Sequence, residues 1–115
     1  MNPQDFNKLA KNRFAKCTEL MGLKSNEYAR DNDKLHNFKM AGLMQNVIPE
    51  QALMGMKVKH DVSIYDIVED IYYGKLPSLD LLAEKISDEI NYLVLLEALI
   101  TERINKNNIN ITSGV

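Results

Sequence analysis

Tryptophan is absent from this chain of 115 residues, and cysteine occurs once, histidine twice, proline three times and glycine five times. Each scarcity closes off some chemistry. Cys17 has no partner for an internal disulfide, and one Cys with two His does not assemble a recognisable zinc site. Beside His36 or His60 it lacks the third group that would make it an activated nucleophile. It falls at an apolar helical position and reads as a buried, inert thiol, in keeping with a reducing cytosol. No glycine-rich phosphate loop is present. Nor is there an excess of positive charge: a net charge of -2 argues against an electrostatically driven nucleic-acid binder. No apolar run reaches membrane-spanning length, since Glu97 interrupts Leu93 to Ile100. The first residues have neither the basic start nor the apolar core of a signal peptide.

What is there is the composition of an ordinary globular domain, 45% apolar and 26% charged. The length suits one core, expected over residues 1–105, with the Asn- and Ser-rich residues 106–115 as a flexible tail. Apolar residues recur at steps of three and four, which predicts helices throughout. Asn2 and Pro3 open a first helix to about Leu23, with Phe6, Leu9, Ala10, Cys17, Leu20 and Met21 on one face and Arg13 inside that stripe. Arg13 either snorkels past the core or points at a buried carboxylate. A polar loop is expected over Ser25 to Asp33. Its carboxylates Glu27, Asp31 and Asp33 read as caps and turn residues, because the glycine and distal Glu of a calcium loop are missing. A second helix holds Leu35 and Phe38 and ends near Asn46. Met40, Met44, Met54 and Met56 read as core filler.

Pro49 opens a third helix that Gly74 stops, with Leu53, Met56, Ile64, Ile67, Val68 and Ile71 as its stripe. Lys57 and His60 fall inside that stripe. Ser78 caps a fourth helix, where Leu82, Ile86, Ile90, Leu93, Leu96, Ile100 and Ile104 form one apolar face. Glu84, Asp88 and Asn91 share a different face, while Glu89 and Glu97 sit within the apolar one. The expected architecture is an all-α compact bundle of four main helices, the long third and fourth antiparallel. So apolar a fourth helix also predicts a homo-oligomer, a homodimer through that helix.

Basic groups on core faces (Arg13, Lys57, His60) and acids on a facing helix (Glu84, Asp88, Glu89) allow two readings. They form buried ion pairs that set helix register. Or they line a site for a small anionic ligand, with Lys57 and His60 meeting phosphate and Glu84 and Asp88 holding magnesium.

Three segments carry a family resemblance. Lys24-Ser-Asn-Glu-Tyr28-Ala resembles the K-x-x-x-Y-G/A segment of small bacteriophage proteins of the first nucleotide-modification-associated domain family. Lys57-Val-Lys-His60 resembles that family's K-V-x-R segment, with His in place of Arg, and Asp88-Glu-Ile-Asn-Tyr92 resembles its D-x-x-N-Y segment. The three stand in the family's order. More distantly, the chain is similar to MazG-type all-α nucleoside triphosphate pyrophosphatases, although Glu84 and Asp88 make E-x-x-x-D where that pattern has E-x-x-D. The resemblance implies an all-α phage protein of the host cytoplasm with a nucleotide-related role. With the residue reading above, it makes Tyr28, Lys57, His60, Asn91 and Tyr92 the candidate ligand-binding residues, while Glu84 and Asp88 stay the candidate magnesium ligands on the residue reading alone. The alternative is a non-catalytic helical interaction protein, binding itself or a host protein, whose buried charges are structural.

Overall fold

The computed structural model describes the backbone of residues 1–28, 30 and 33–113 and the side chains of residues 1–22, 30 and 33–108. Four helices follow one another: α1 (Pro3–Tyr28), α2 (His36–Gln45), α3 (Pro49–Tyr72) and α4 (Leu79–Ser113). No strand occurs among the described residues, and the helices pack as an all-α bundle. The side chains expected to start them do so. Asn2 Oδ1 accepts from the Asp5 amide at 2.8 Å, and Ser78 Oγ from the Leu81 amide at 3.1 Å. Helix α2 is the exception: its N-cap is Leu35, without a side-chain cap, and Asp33 accepts from the Leu35 amide at 3.0 Å in the turn before it. Pro49 occupies the first turn of α3, and Gly74, at φ +88°, supplies the left-handed turn that ends it.

Two boundaries differ from expectation. Helix α1 continues to Tyr28 through what reads as a polar loop, and α4 continues to Ser113 through the expected tail. Neither stretch contains Pro or Gly before Gly114, so nothing in the backbone forces an end.

The long helices α3 and α4 run antiparallel. Glu50, in the first turn of α3, accepts from Arg103 Nε at 2.6 Å and from a terminal guanidinium nitrogen at 2.9 Å. Farther along α3, Lys57 meets Glu89 and His60 meets Asp88, so rising numbers face falling ones. The core gathers between these helices and α2: Leu35, Phe38, Leu53, Tyr92 and Leu99, with Met56, Leu95 and Leu96 against them. At the α2–α3 corner the chain doubles back over Gly42, where a Cβ would stand 2.8 Å from the Val47 carbonyl oxygen. Only a glycine fits there.

Several expected core residues lie outside. Phe6 and Leu9 of α1 are exposed, as are Met40, Met44 and Met54, so only Met56 of that set fills the core. On α3, Val68 and Ile71 are exposed as well. The largest departure is α4. Leu82, Leu93, Ile100 and Ile104 of its apolar stripe are exposed, whereas Ser87, Asp88 and Asn91 are buried. The helix therefore turns its more polar face inward, because that face carries Tyr92 and Leu99 and meets α1, α2 and α3.

A clamp of charges ties the ends together. Lys39 donates to Asp33 at 2.7 Å and lies 2.7 Å from Glu102. Hydrogen bonds from Lys39 hold the Asp33 and Glu102 carboxyls below their ordinary values, and hydrogen bonds from Arg103 do the same for Glu50. The depressed values mean that this contribution is present above the ordinary carboxylate range and is lost as pH falls through the folded values. Melting temperature should accordingly drop below about pH 4.5, the ordinary Glu value. Glu50→Gln should flatten that drop, and high salt should shrink it, because the pairs are partly solvated.

Two glycine substitutions should part company in chemical denaturation. Gly42→Ala should destabilise by about 1–3 kcal/mol through the backbone clash. Gly55→Ala, in the interior of α3 with nothing within 4 Å of an added Cβ, should stabilise by about 0.5–1 kcal/mol.

Candidate functional site

The contact between α3 and α4 carries two layers of polar groups. In one, Lys57 Nζ donates to Asp61 at 2.6 Å, one turn along its own helix, and lies 3.1 Å from Glu89 of α4. Lys57 is buried, 7% exposed. Its ammonium therefore has two carboxylates as partners, which is what a buried cation requires. Asp61 is the partner that sequence reading misses. Its Cα lies to the side of the core stripe, but the i, i+4 spacing lets it reach Lys57.

In the other layer, His60 Nδ1 stands 3.7 Å from Asp88 Oδ2, and its ring lies 4.7 Å from the Tyr92 ring, tilted by 43°. The Tyr92 ring is held in turn edge-on to Phe38 at 6.3 Å. His60 is thus oriented by a buried carboxylate and a core aromatic. Asp88 is 6% exposed and Asn91, one turn on, is also 6% exposed. Among the described residues, neither the oxygen nor the nitrogen of the Asn91 carboxamide has a hydrogen-bond partner. A buried amide left unpaired costs about 1–3 kcal/mol. That cost calls for an explanation.

Helix α1 closes this layer from another side. Arg13 donates to Ser87 Oγ at 2.8 Å and to the Ala83 carbonyl at 3.3 Å. Of the two expectations for Arg13, neither is met in full: it is anchored, but by a hydroxyl and a carbonyl of α4. Ser87 is fully buried, and its place between Ile86 and Asp88 gives little advance sign of that role.

The expected site residues therefore divide. His60, Asp88 and Tyr92 come together, and Asn91 lies one turn from Asp88. Lys57 belongs to the layer of Asp61 and Glu89. Glu84 is exposed, one turn before Asp88 on the same face of α4. The Tyr28 side chain, with those of Glu27 and Asp31, lies outside the described residues.

The carboxyls of the Lys57 layer are perturbed in opposite directions. The hydrogen bond from Lys57 holds Asp61 below its ordinary value. Burial, reinforced by the neighbouring Asp61 carboxyl, pushes Glu89 up. Hydrogen bonding to Asp61 raises Lys57 and outweighs its burial. One lysine thus serves two carboxyls unequally, and Glu89 is the one nearer to neutrality. Its Oε1 is buried and accepts no hydrogen bond among the described residues.

Comparison with family models, with curated proteins and with solved structures found no match to this chain. No described helix is long and apolar enough to cross a membrane. Among the described residues, no three His, Cys, Asp or Glu side chains are grouped so as to hold a metal ion.

Lys57→Met tests the outer layer. Removing the ammonium leaves Glu89 and Asp61 facing each other, and breaking a buried pair costs about 3–5 kcal/mol. Solvent at Asp61, whose side chain is 44% exposed, should bring the loss to the lower end of that range or below it. Glu89 already has a raised pKa, so the cost of its charge is present above its folded value and disappears as it takes up a proton. The deficit of the variant, read by urea denaturation, should therefore shrink as pH falls from neutral toward the carboxylate range.

Proposed function

We propose that the chain binds a nucleotide, or a related phosphate ligand, at the layer formed by His60, Asp88 and Asn91. The observation that carries this reading is the Asn91 carboxamide. It is buried, offers a donor and an acceptor side by side, and has a partner for neither among the described residues. Such a pair matches the edge of a nucleobase, where Asn commonly makes two hydrogen bonds at once. His60 supplies a group that can carry positive charge toward a phosphate, and Asp88 and Tyr92 hold it in position. Lys57 acts one layer away, by neutralising Glu89 and Asp61. The resemblance of Asp88-Glu-Ile-Asn-Tyr92 and Lys57-Val-Lys-His60 to segments of nucleotide-related phage proteins points the same way, and it adds Tyr28 as a further ligand contact.

Magnesium fits this reading as a companion of the phosphates. It is held by one or two carboxylates plus ligand oxygens. Buried Asp88 and exposed Glu84, on one face of α4, are the pair that would hold it, and the ion would supply neutralisation of phosphate charge.

A second reading has one specific observation in its favour. Lys57 is bonded by carboxylates on both sides, as expected if the buried charges serve only helix register. On that reading the chain is a non-catalytic interaction protein.

Calorimetric titration with mono-, di-, tri- and cyclic nucleotides, with and without magnesium, separates the two. Saturable binding by one class is expected; silence across the panel sinks the ligand reading. Asn91→Leu sharpens the test. It should raise melting temperature, since it removes an unpaired buried amide of similar volume, and should weaken ligand binding at least tenfold. A variant that is stabilised and binds as well as the parent would assign Asn91 no part in recognition.

A further inference from the structure

Arg13 is a half-buried cation with no anion beside it. Its Nη1 donates to Ser87 Oγ at 2.8 Å and to the Ala83 carbonyl at 3.3 Å, and no carboxylate of the described residues pairs with it. Those two bonds use both hydrogens of Nη1 and fix the guanidinium plane against α4. The edge formed by Nε and Nη2 keeps its donors unmet among the described residues. Arg103 shows what such an edge takes: its Nε and Nη2 grip the two carboxylate oxygens of Glu50 at 2.6 and 2.9 Å. The same fork fits a phosphate equally well. A partly desolvated guanidinium without an anion is costly, which sets Arg13 apart from the paired Lys39, Lys57 and Arg103.

The place of this fork matters as much as its chemistry. Ala83, Ser87 and Asn91 follow one another at four-residue steps along one face of α4. Helix α1 accompanies that face: beyond Arg13, its Met21 and Gly22 line one groove with Val94, Leu95 and Ala98. Asn91 therefore lies between two stretches where α1 meets α4, one turn, about 6 Å, beyond the Ser87 anchor of Arg13. His60 and Asp88 stand on its other flank. An unmet cationic fork and an unmet carboxamide this close together suit one ligand with an anionic end and a hydrogen-bonding end. We propose that Arg13 binds the phosphate of the ligand, its Nε–Nη2 edge on two phosphate oxygens, with Ser87 and Ala83 holding that edge in place. This rests on the reading of Asn91 as a ligand contact, and it brings in α1, which lies outside the Lys57–His60 and Asp88–Tyr92 segments. The arrangement selects phosphorylated ligands over their unphosphorylated counterparts.

Inorganic pyrophosphate probes the anion site without a base. Calorimetric titration of the full chain at constant ionic strength should show saturable binding. Arg13→Gln should weaken it at least tenfold. Arg13→Lys, which keeps the charge but not the fork, should weaken it less, and it decides the matter if the glutamine variant fails to fold. Asn91→Leu should leave pyrophosphate binding unchanged, as should Lys11→Gln, which removes an exposed cation of the same helix. Absence of saturable binding would overturn the proposal. So would binding that both Arg13 variants leave intact, or that Lys11→Gln weakens as much as Arg13→Gln does. In each of those cases the nucleotide reading of Asn91 still stands on its own titration. Pyrophosphate held through Arg13 in a chain that binds no nucleotide would instead remove the base contact and uphold the anion site.

Discussion

A lysine buried between two antiparallel helices must be met by carboxylates, and meeting it sets the register of α3 against α4. With Lys57 placed between Asp61 and Glu89, His60 falls opposite Asp88, and Glu50, two turns earlier on α3, falls opposite Arg103. A slip of one turn would separate all three pairings together, and at Lys57 it would strand a buried charge. Exposed ion pairs such as those of Lys39 add little individually. Their part is to tie α2 and the far end of α4 to a register that the buried lysine already specifies.

From that register follows the separation of the polar groups into two layers. Asp88 and Glu89 are neighbours in sequence and so point to different sides of α4. One faces His60 and the interior; the other faces Lys57 and the outer surface. The same division on α3 sends His60 inward and Asp61 outward. A ligand site and a charged seam can therefore coexist on adjacent residues without sharing partners. The seam leaves one oxygen of Glu89 unpaired and the inner layer leaves the Asn91 amide unpaired, among the described residues.

Much of this was legible in the sequence, for identifiable reasons. Helix starts at Asn2, Pro49 and Ser78 were readable because capping is local chemistry. Lys57 and His60 on the core face of α3 were readable from helical spacing alone. The partners were harder. Asp61 gave no sign of its role because its Cα lies to the side of the core stripe, although four residues of separation and a long lysine stem close the distance. Ser87 carried no signal, since its role depends on where α1 crosses. The orientation of α4 was read in part: of the stripe from Leu82 to Ile104, Leu96 packs against the core, whereas Leu82, Leu93, Ile100 and Ile104 are exposed. Periodicity identifies an apolar face, but it does not say whether that face is covered by the chain's own helices.

That arrangement bears on what the molecule is built to do. Burying a leucine side chain fully stabilises by about 1.5–3 kcal/mol, so a lone chain would gain by rotating α4 to bring Leu93 and Ile100 inward. The rotation would carry Asp88 and Asn91 out to water, relieving a second cost. Helix α4 takes neither, because it packs Tyr92 and Leu99 against α2 and α3 and keeps Lys57 within reach of Glu89. The position of α4 thus leaves two costs open within the described chain, the buried Asn91 carboxamide and the exposed apolar side chains of Leu93 and Ile100.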